Sequence, residues 1–375
     1  MNLPGSEANP ANRATPVGGP TGDSRPIFYT VNSPAVVTNG VAATTRNFQI
    51  YAGRGGASAA NPNISDAILM RNTNKGYSYA VTGQLQKAFN NGFFASMAYT
   101  YSDARSVNDG GSIAQSIWRD RAVSSDPNAE ALSYSNFLQQ HRFIVSASYR
   151  KEYLGHLGTT LSLFYEAAPN NRFSYVYAGD MNGDNQTAND LMYVPRSQSE
   201  INLRDITLLP AITGTSPAPA VIYTAAEQWN DLNNYINPDD YLSTRRGEYA
   251  ERNGAVRPWQ NRLDFRLLQD IFTNLGNDNR NTLQISVDIF NVGNLFNSKW
   301  GAFQTFNKNN PLSFAGYNTQ GQPVYSVPYL TQPTRTSATD ATVAGGTKLT
   351  ETFRYDTGGI GSRWQGQVGI RYIFN

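Results

Sequence analysis

The 375-residue chain contains no cysteine, only two histidines and only 15% charged residues. Without cysteine there are no disulfide staples and no thiolate chemistry. His141 and His156 have no second histidine four residues on and no acidic neighbour at zinc-protease spacing, so both are expected to be strand-end or turn residues. No Gly-x-Ser-x-Gly elbow is present. Gly53-Arg54-Gly55-Gly56 has neither a strand before it nor a helix after it, and reads as loop rather than phosphate cradle. The chain is therefore not expected to be an enzyme. It also has no apolar run near the roughly 18 residues of a membrane helix, and its net charge of +2 gives no reason to expect nucleic acid. Residues 1–7 show neither the basic start nor the apolar run of a secretory signal.

Aromatic residues are plentiful, with 22 Tyr and 18 Phe beside 32 Gly. Apolar residues make up 39% and the mean hydropathy is −0.47, values that would mark a soluble protein if read alone. Period-two alternation gives a different account. The segment Arg363 to Phe374 places Trp364, Gly366, Val368, Ile370, Tyr372 and Phe374 on one face and mostly polar residues on the other. Similar alternation runs over Tyr77–Phe89, Phe93–Ser102, His141–Arg150, Thr159–Glu166, Arg262–Ile271 and Thr282–Asn291. A strand of about 11 residues tilted near 45° spans roughly 25 Å, the height of the apolar band on an outer-membrane barrel.

The connections between these seven segments alternate in length. Asn90-Asn91-Gly92 makes a tight turn, and the other short gaps are about eight and about ten residues, whereas the long ones are about 36, more than 90 and about 70. Short periplasmic turns and long extracellular loops alternate in this way in outer-membrane barrels, and ordinary sandwiches follow no such rule. The expected fold is all-β: an antiparallel transmembrane β-barrel portion over residues 77–375, with long extracellular loops at about 103–138, 169–260 and 292–362. Residues 1–76, rich in Pro, Gly, Asn, Ala and Thr, are expected to form an extracellular loop-like segment.

The chain's ending resembles the C-terminal strand of bacterial outer-membrane barrels, whose assembly signal corresponds here to Gln367, Gly369, Tyr372 and Phe374, followed by Asn375. Arg257-Pro258-Trp259-Gln260-Asn261-Arg262-Leu263-Asp264-Phe265-Arg266 and Asp288-Ile289-Phe290-Asn291-Val292-Gly293-Asn294-Leu295-Phe296-Asn297 look like stretches near the C-terminus of TonB-dependent outer-membrane receptors. Together with Gly179-Asp180-Met181-Asn182-Gly183-Asp184 and Asp190-Leu191-Met192-Tyr193-Val194-Pro195, they resemble the Oar-like branch of that family over roughly residues 75–375. The resemblance implies the last seven or so strands of a barrel of about 22, an N-terminal plug, and transport of a large substrate, inward or outward, energised through TonB. It also implies outer-membrane lipid and the barrel-assembly machinery as partners and the outer membrane as location. The chain is then expected to be a piece of a longer protein. The alternatives are a passive porin and a secreted lectin-like β-sandwich that binds carbohydrate.

Asp180, Asn182, Asp184, Gln186 and Asp190 place oxygen donors at alternate positions and close with a carboxylate, as calcium loops do. Asn185 stands where such loops carry glycine, and Asp190 falls one position early. Calcium is the ion such a loop would take, and an Asx-rich turn held by its own backbone bonds is the competing expectation. Arg245, Arg246, Glu248, Glu251, Arg252 and Arg257 are expected to be solvated charges near a loop end.

Overall fold

The computed structural model describes residues 22–27, 29–31, 41, 44–46, 70–124, 127, 129–184, 186–213, 217–274, 280–335 and 343–374. Most of the expected loop-like segment 1–76, Gly53-Arg54-Gly55-Gly56 within it, and Asn185 lie outside the described residues. The described chain is mainly strand with few helices.

Seven long strands form one sheet: β1 (Tyr77–Ala88), β2 (Phe93–Ser106), β3 (His141–Tyr153), β4 (Leu157–Pro169), β5 (Trp259–Asn274), β6 (Arg280–Phe290) and β7 (Gln365–Ile373). Each pairs antiparallel with the next in sequence, so spatial order and chain order coincide. Among the described residues the sheet does not close, and the outer edges of β1 and β7 have no partner strand.

β2 to β6 run longer than the alternation predicts, with shorter turns between β3 and β4 and between β5 and β6, whereas β1 and β7 end slightly short of it. β3 and β4 are joined by Leu154, Gly155 and His156 alone, because pairing continues through Gly158 and up to Pro169, residues that carry no alternation signal. In the first turn Gly92 has φ +84, and a Cβ there would run into the Arg150 carbonyl. Phe89 N donates to Phe93 O at 2.8 Å and Phe93 N to Asn91 Oδ1 at 3.3 Å, which closes the hairpin.

Register aligns like with like across the sheet. On one face Tyr149, Leu161, Leu267, Val287 and Val368 follow one another from β3 to β7, and Leu85, Met97, Val145, Tyr165 and Leu263 from β1 to β5. One residue further along each strand the row reads Ser148, Ser162, Arg266, Asp288 and Gln367, on the opposite face. Among the described residues no second layer covers the apolar face. Leu85 is 71% exposed and Ile370 75%, whereas a water-soluble sandwich buries such positions against a facing sheet.

The buried core lies beyond one end of the sheet, in a cap built from the three long connections. These segments, expected as loops, carry α1 (Ala114–Arg119), α2 (Ala225–Ile236) and a four-stranded mixed sheet in the order Asn202–Leu203, Pro323–Ser326, Leu312–Tyr317, Tyr177–Ala178. α2 starts at a capping box, with Glu227 N donating to Thr224 Oγ1 and Thr224 N to Glu227 Oε2. It buries Gln228, Leu232, Tyr235 and Ile236, spaced on one face, against Tyr175, Met181 and Leu312. Burying a leucine such as Leu232 contributes about 1.5–3 kcal/mol.

Candidate functional site

Two surfaces and one loop concentrate the chemistry. On the apolar face, aromatic side chains gather at both ends of the strands. At the cap end the Tyr99 hydroxyl lies 2.8 Å from His141 Nδ1, and the His141 ring stacks against Trp259 with centroids 6.0 Å apart. Tyr101 and Tyr79 extend that row toward β1. At the turn end Phe89 meets Phe93 at 5.5 Å, and Tyr372 meets Phe374 edge-on at 4.6 Å. Between the rows the face is mainly aliphatic, with Leu85, Val145, Leu163, Leu267, Val287 and Val368. From His141 to Tyr153 the chain advances twelve steps, or about 40 Å along the strand and roughly 28 Å along a normal inclined near 45°.

The opposite face carries ion pairs between strands, two of them joining neighbours and the third, Arg150 with Asp270, reaching across β4. Arg142 meets Glu166 at 2.7 Å, Arg266 meets Asp288 at 2.9 Å, and Arg150 meets Asp270 at 2.9 Å. Asp264 Oδ1 accepts from Asn291 N at 2.7 Å and so ties β5 to the end of β6. Phe94, Phe164 and Phe290 interrupt this polar surface around a cleft of about 380 Å³ that Asp264, Arg266 and Asp288 also line.

The four residues of the expected assembly signal lie on or just beyond β7, which pairs with β6. Gln367 stands opposite Asp288, Gly369 opposite Ser286 and Tyr372 opposite Leu283. A Cβ on Gly369 would stand 2.7 Å from Ser286 Oγ, so glycine allows the close pairing there. Phe374 lies just past the strand, exposed beside Tyr372.

The acidic loop sits inside the cap. Asp180, Asn182, Asp184 and Asp190 are buried, and Gln186 is half-buried. Their oxygens largely accept from the loop itself: Asp180 Oδ1 from Gly183 N at 2.7 Å, Asp184 Oδ1 from Gln186 N at 2.9 Å, and Asp190 Oδ2 from Met181 N at 2.7 Å. These are the Asx-type bonds of the competing expectation. Sequence patterning gave no hint of Arg25, whose fully buried guanidinium reaches in from the N-terminal segment. It donates to Asp190 Oδ1 at 3.1 Å, to both oxygens of Asp23 and to the Leu191 carbonyl, beneath the rings of Tyr177 and Tyr249. Both oxygens of Asp190 are thereby engaged. Burial pushes Asp190 up to about 7; Arg25 opposes the shift, and Asp184 and Asp180 add to it.

Among the described residues no three Asp, Glu, His or Cys side chains converge as a metal cluster. An ion here would have to rest on Asp180 and Asp184 together with amide and backbone oxygens. Asn189, absent from the alternating pattern, supplies such an oxygen. It is fully buried, its Nδ2 donates to Asp184 Oδ2 at 2.8 Å, and among the described residues its Oδ1 has no partner. An amide flip exchanges those two atoms. In donor chemistry, Asp180, Asn182, Asp184 and Asn189 fit calcium, while Asp190 already has a cation in Arg25.

His156 lies in the β3–β4 turn, its Nδ1 2.7 Å from the Leu154 carbonyl oxygen, and His141 starts β3 within the aromatic row. The basic segment is not the solvated cluster that its composition predicts. Arg252 is buried, and Arg246 holds Pro195 O, Asn233 Oδ1 and Asn237 Oδ1. No family model, curated protein or solved structure matches the chain.

Proposed function

We propose that the seven strands are the C-terminal wall of an outer-membrane β-barrel, and that the complete barrel of about 22 strands is a TonB-dependent transporter of a large substrate. The observation that carries this reading is the two-faced sheet: an uncovered aliphatic band between two aromatic rows, backed by a face of ion pairs. Lipid suits the first face and a wet lumen the second. The unpaired edges of β1 and β7 support further strands beside them, since unpaired backbone groups in lipid cost several kcal/mol each. The one-sided arrangement of short turns and folded cap fits periplasmic and extracellular ends, with outer-membrane lipid and the assembly machinery as partners.

Transport rather than passive permeation rests on the resemblance of residues 257–266, 288–297, 179–184 and 190–195 to TonB-dependent receptors. Planar-bilayer recording of the assembled protein tests it. A plugged transporter gives no steady open-channel current, and a steady ohmic current would favour the porin instead. A monomeric product, soluble without detergent, would point to the carbohydrate-binding sandwich. Calcium is proposed as a structural ion of the cap at Asp180, Asn182, Asp184 and Asn189, and no catalytic role is assigned to any residue.

A further inference from the structure

A second cleft of about 380 Å³ opens in the cap, between the β2–β3 and β4–β5 connections, and Arg172 and Arg252 form part of its wall. They are only 5% and 7% exposed, and among the described residues neither has a carboxylate in ion-pair contact. Arg172 donates from Nη1 to Asn253 O at 3.2 Å and from Nη2 to Gln140 Oε1 at 2.9 Å, and it lies over the Tyr134 ring at 4.2 Å. Its Nε is buried without a partner. Arg252 uses Nη2 alone, donating to Ser106 O at 2.5 Å and Ala131 O at 3.3 Å. Every one of these acceptors is neutral. Burying a cation against neutral acceptors is costly unless a counter-ion meets it. Burial lowers both guanidinium groups, Arg252 to about 10 with Arg121 adding to the effect.

Of the acids at this cleft, Asp109 partly offsets the charge of Arg252 without an ion-pair contact to it. Asp109 accepts from Ser106 Oγ at 2.8 Å, Ser135 Oγ at 2.7 Å and Asn136 N at 3.0 Å, which holds the connection in place. Asp120 pairs with its neighbour Arg119 at 2.6 Å. The wall thus has cationic donors in excess where a small ligand fits. A guanidinium edge matches the two oxygens of a carboxylate or phosphate.

We propose that this cleft binds the oxyanion group of a small ligand, a carboxylate or phosphate, between Arg172 and Arg252. The site stands on the cap's own geometry and does not depend on the transport reading. The test is calorimetry on the full chain in detergent micelles, with inorganic phosphate and acetate as probes. Saturable binding is expected for at least one probe, weakened at least tenfold by Arg252→Gln and strengthened by Asp120→Asn, which removes an exposed negative charge from the wall. Should Arg252→Gln loosen the cap, Asp120→Asn still decides, because Asp120 is not part of the core. No saturable heat with either probe, or an Asp120→Asn protein that binds no tighter than wild type, overturns the proposal. Vesicles of phosphatidylglycerol, against phosphatidylcholine controls, distinguish the source. Vesicle binding that phosphate competes away assigns the oxyanion to a lipid headgroup, and phosphate binding without vesicle binding assigns it to a free solute.

Discussion

Val368 and Gln367 are neighbours in sequence and lie on opposite faces of β7, so the same substitution at each measures what each face meets. Val368 is 71% exposed, stands opposite Val287 and lies near the middle of the strand. An arginine there would put a charge near the midplane of the lipid band, at a cost of about 2–4 kcal/mol. That is roughly 1.5 to 3 decades in the folding equilibrium. Gln367 stands opposite Asp288, which Arg266 already meets at 2.9 Å. An arginine there starts from an exposed position beside Asp288, a buried carboxylate that already has a cation, and such a solvent-facing charge contributes only about 0–1 kcal/mol in either direction. The assay is denaturant-dependent refolding of the completed barrel into bilayers, comparing midpoints at constant slope. Val368→Arg should fold much less stably and Gln367→Arg almost as well as wild type. Equal losses for the two variants would refute the assignment of faces.

Above about pH 7, where Asp190 is ionised, Arg25→Met leaves Asp23 and Asp190 buried without their cation, and should destabilise the cap by about 3–5 kcal/mol; amide exchange at Tyr177, Leu191 and Met192 reports it, and unchanged protection would contradict the role given to Arg25. Asp190, raised to about 7 chiefly by burial, keeps its proton in the folded cap where an unfolded aspartate near pH 4 has lost it. That contribution to stability is complete below about pH 4 and is lost as pH rises through about 7, so urea midpoints of the cap should fall over this window, and fall less in Asp190→Asn. Gly92→Ala puts a side chain at φ +84 against the Arg150 carbonyl and should cost at least about 1 kcal/mol, read as a lower refolding midpoint. Calcium should bind the cap with modest affinity and be lost on Asp184→Ala; calorimetry without calcium-dependent heat in the wild-type protein removes the ion from the account.

The sheet was legible in the sequence because a strand with one apolar face writes its period locally. Leu161, Leu163 and Tyr165 mark β4 without knowledge of anything distant, and Gly92 marks its turn. The strand ends were not legible, since Gly158 and Pro169 pair through backbone alone. The cap was hidden for a different reason. Its strands are two to six residues long, too short for a period, and Tyr177–Ala178 finds its partner at Leu312–Ser313. Arg25 and Asp190 are 165 residues apart, and no local pattern encodes their pairing. The acidic loop was visible as a run of oxygen donors, but its Asx bonds and the orphan oxygen of Asn189 depend on a curled backbone that spacing does not define.

The central claim is that one face of this sheet meets lipid and the other a wet lumen. Nitroxide labels placed singly at Leu283 through Ile289 on β6, in the barrel assembled in bilayers, test it most directly. Collision rates with oxygen, which partitions into lipid, and with a water-soluble nickel chelate should alternate out of phase with a period of two. Leu283, Ile285, Val287 and Ile289 should be the oxygen-rich positions, and Gln284, Ser286 and Asp288 the nickel-rich ones. A scan in which both faces collide equally with the nickel chelate would contradict the membrane wall and return the sheet to water.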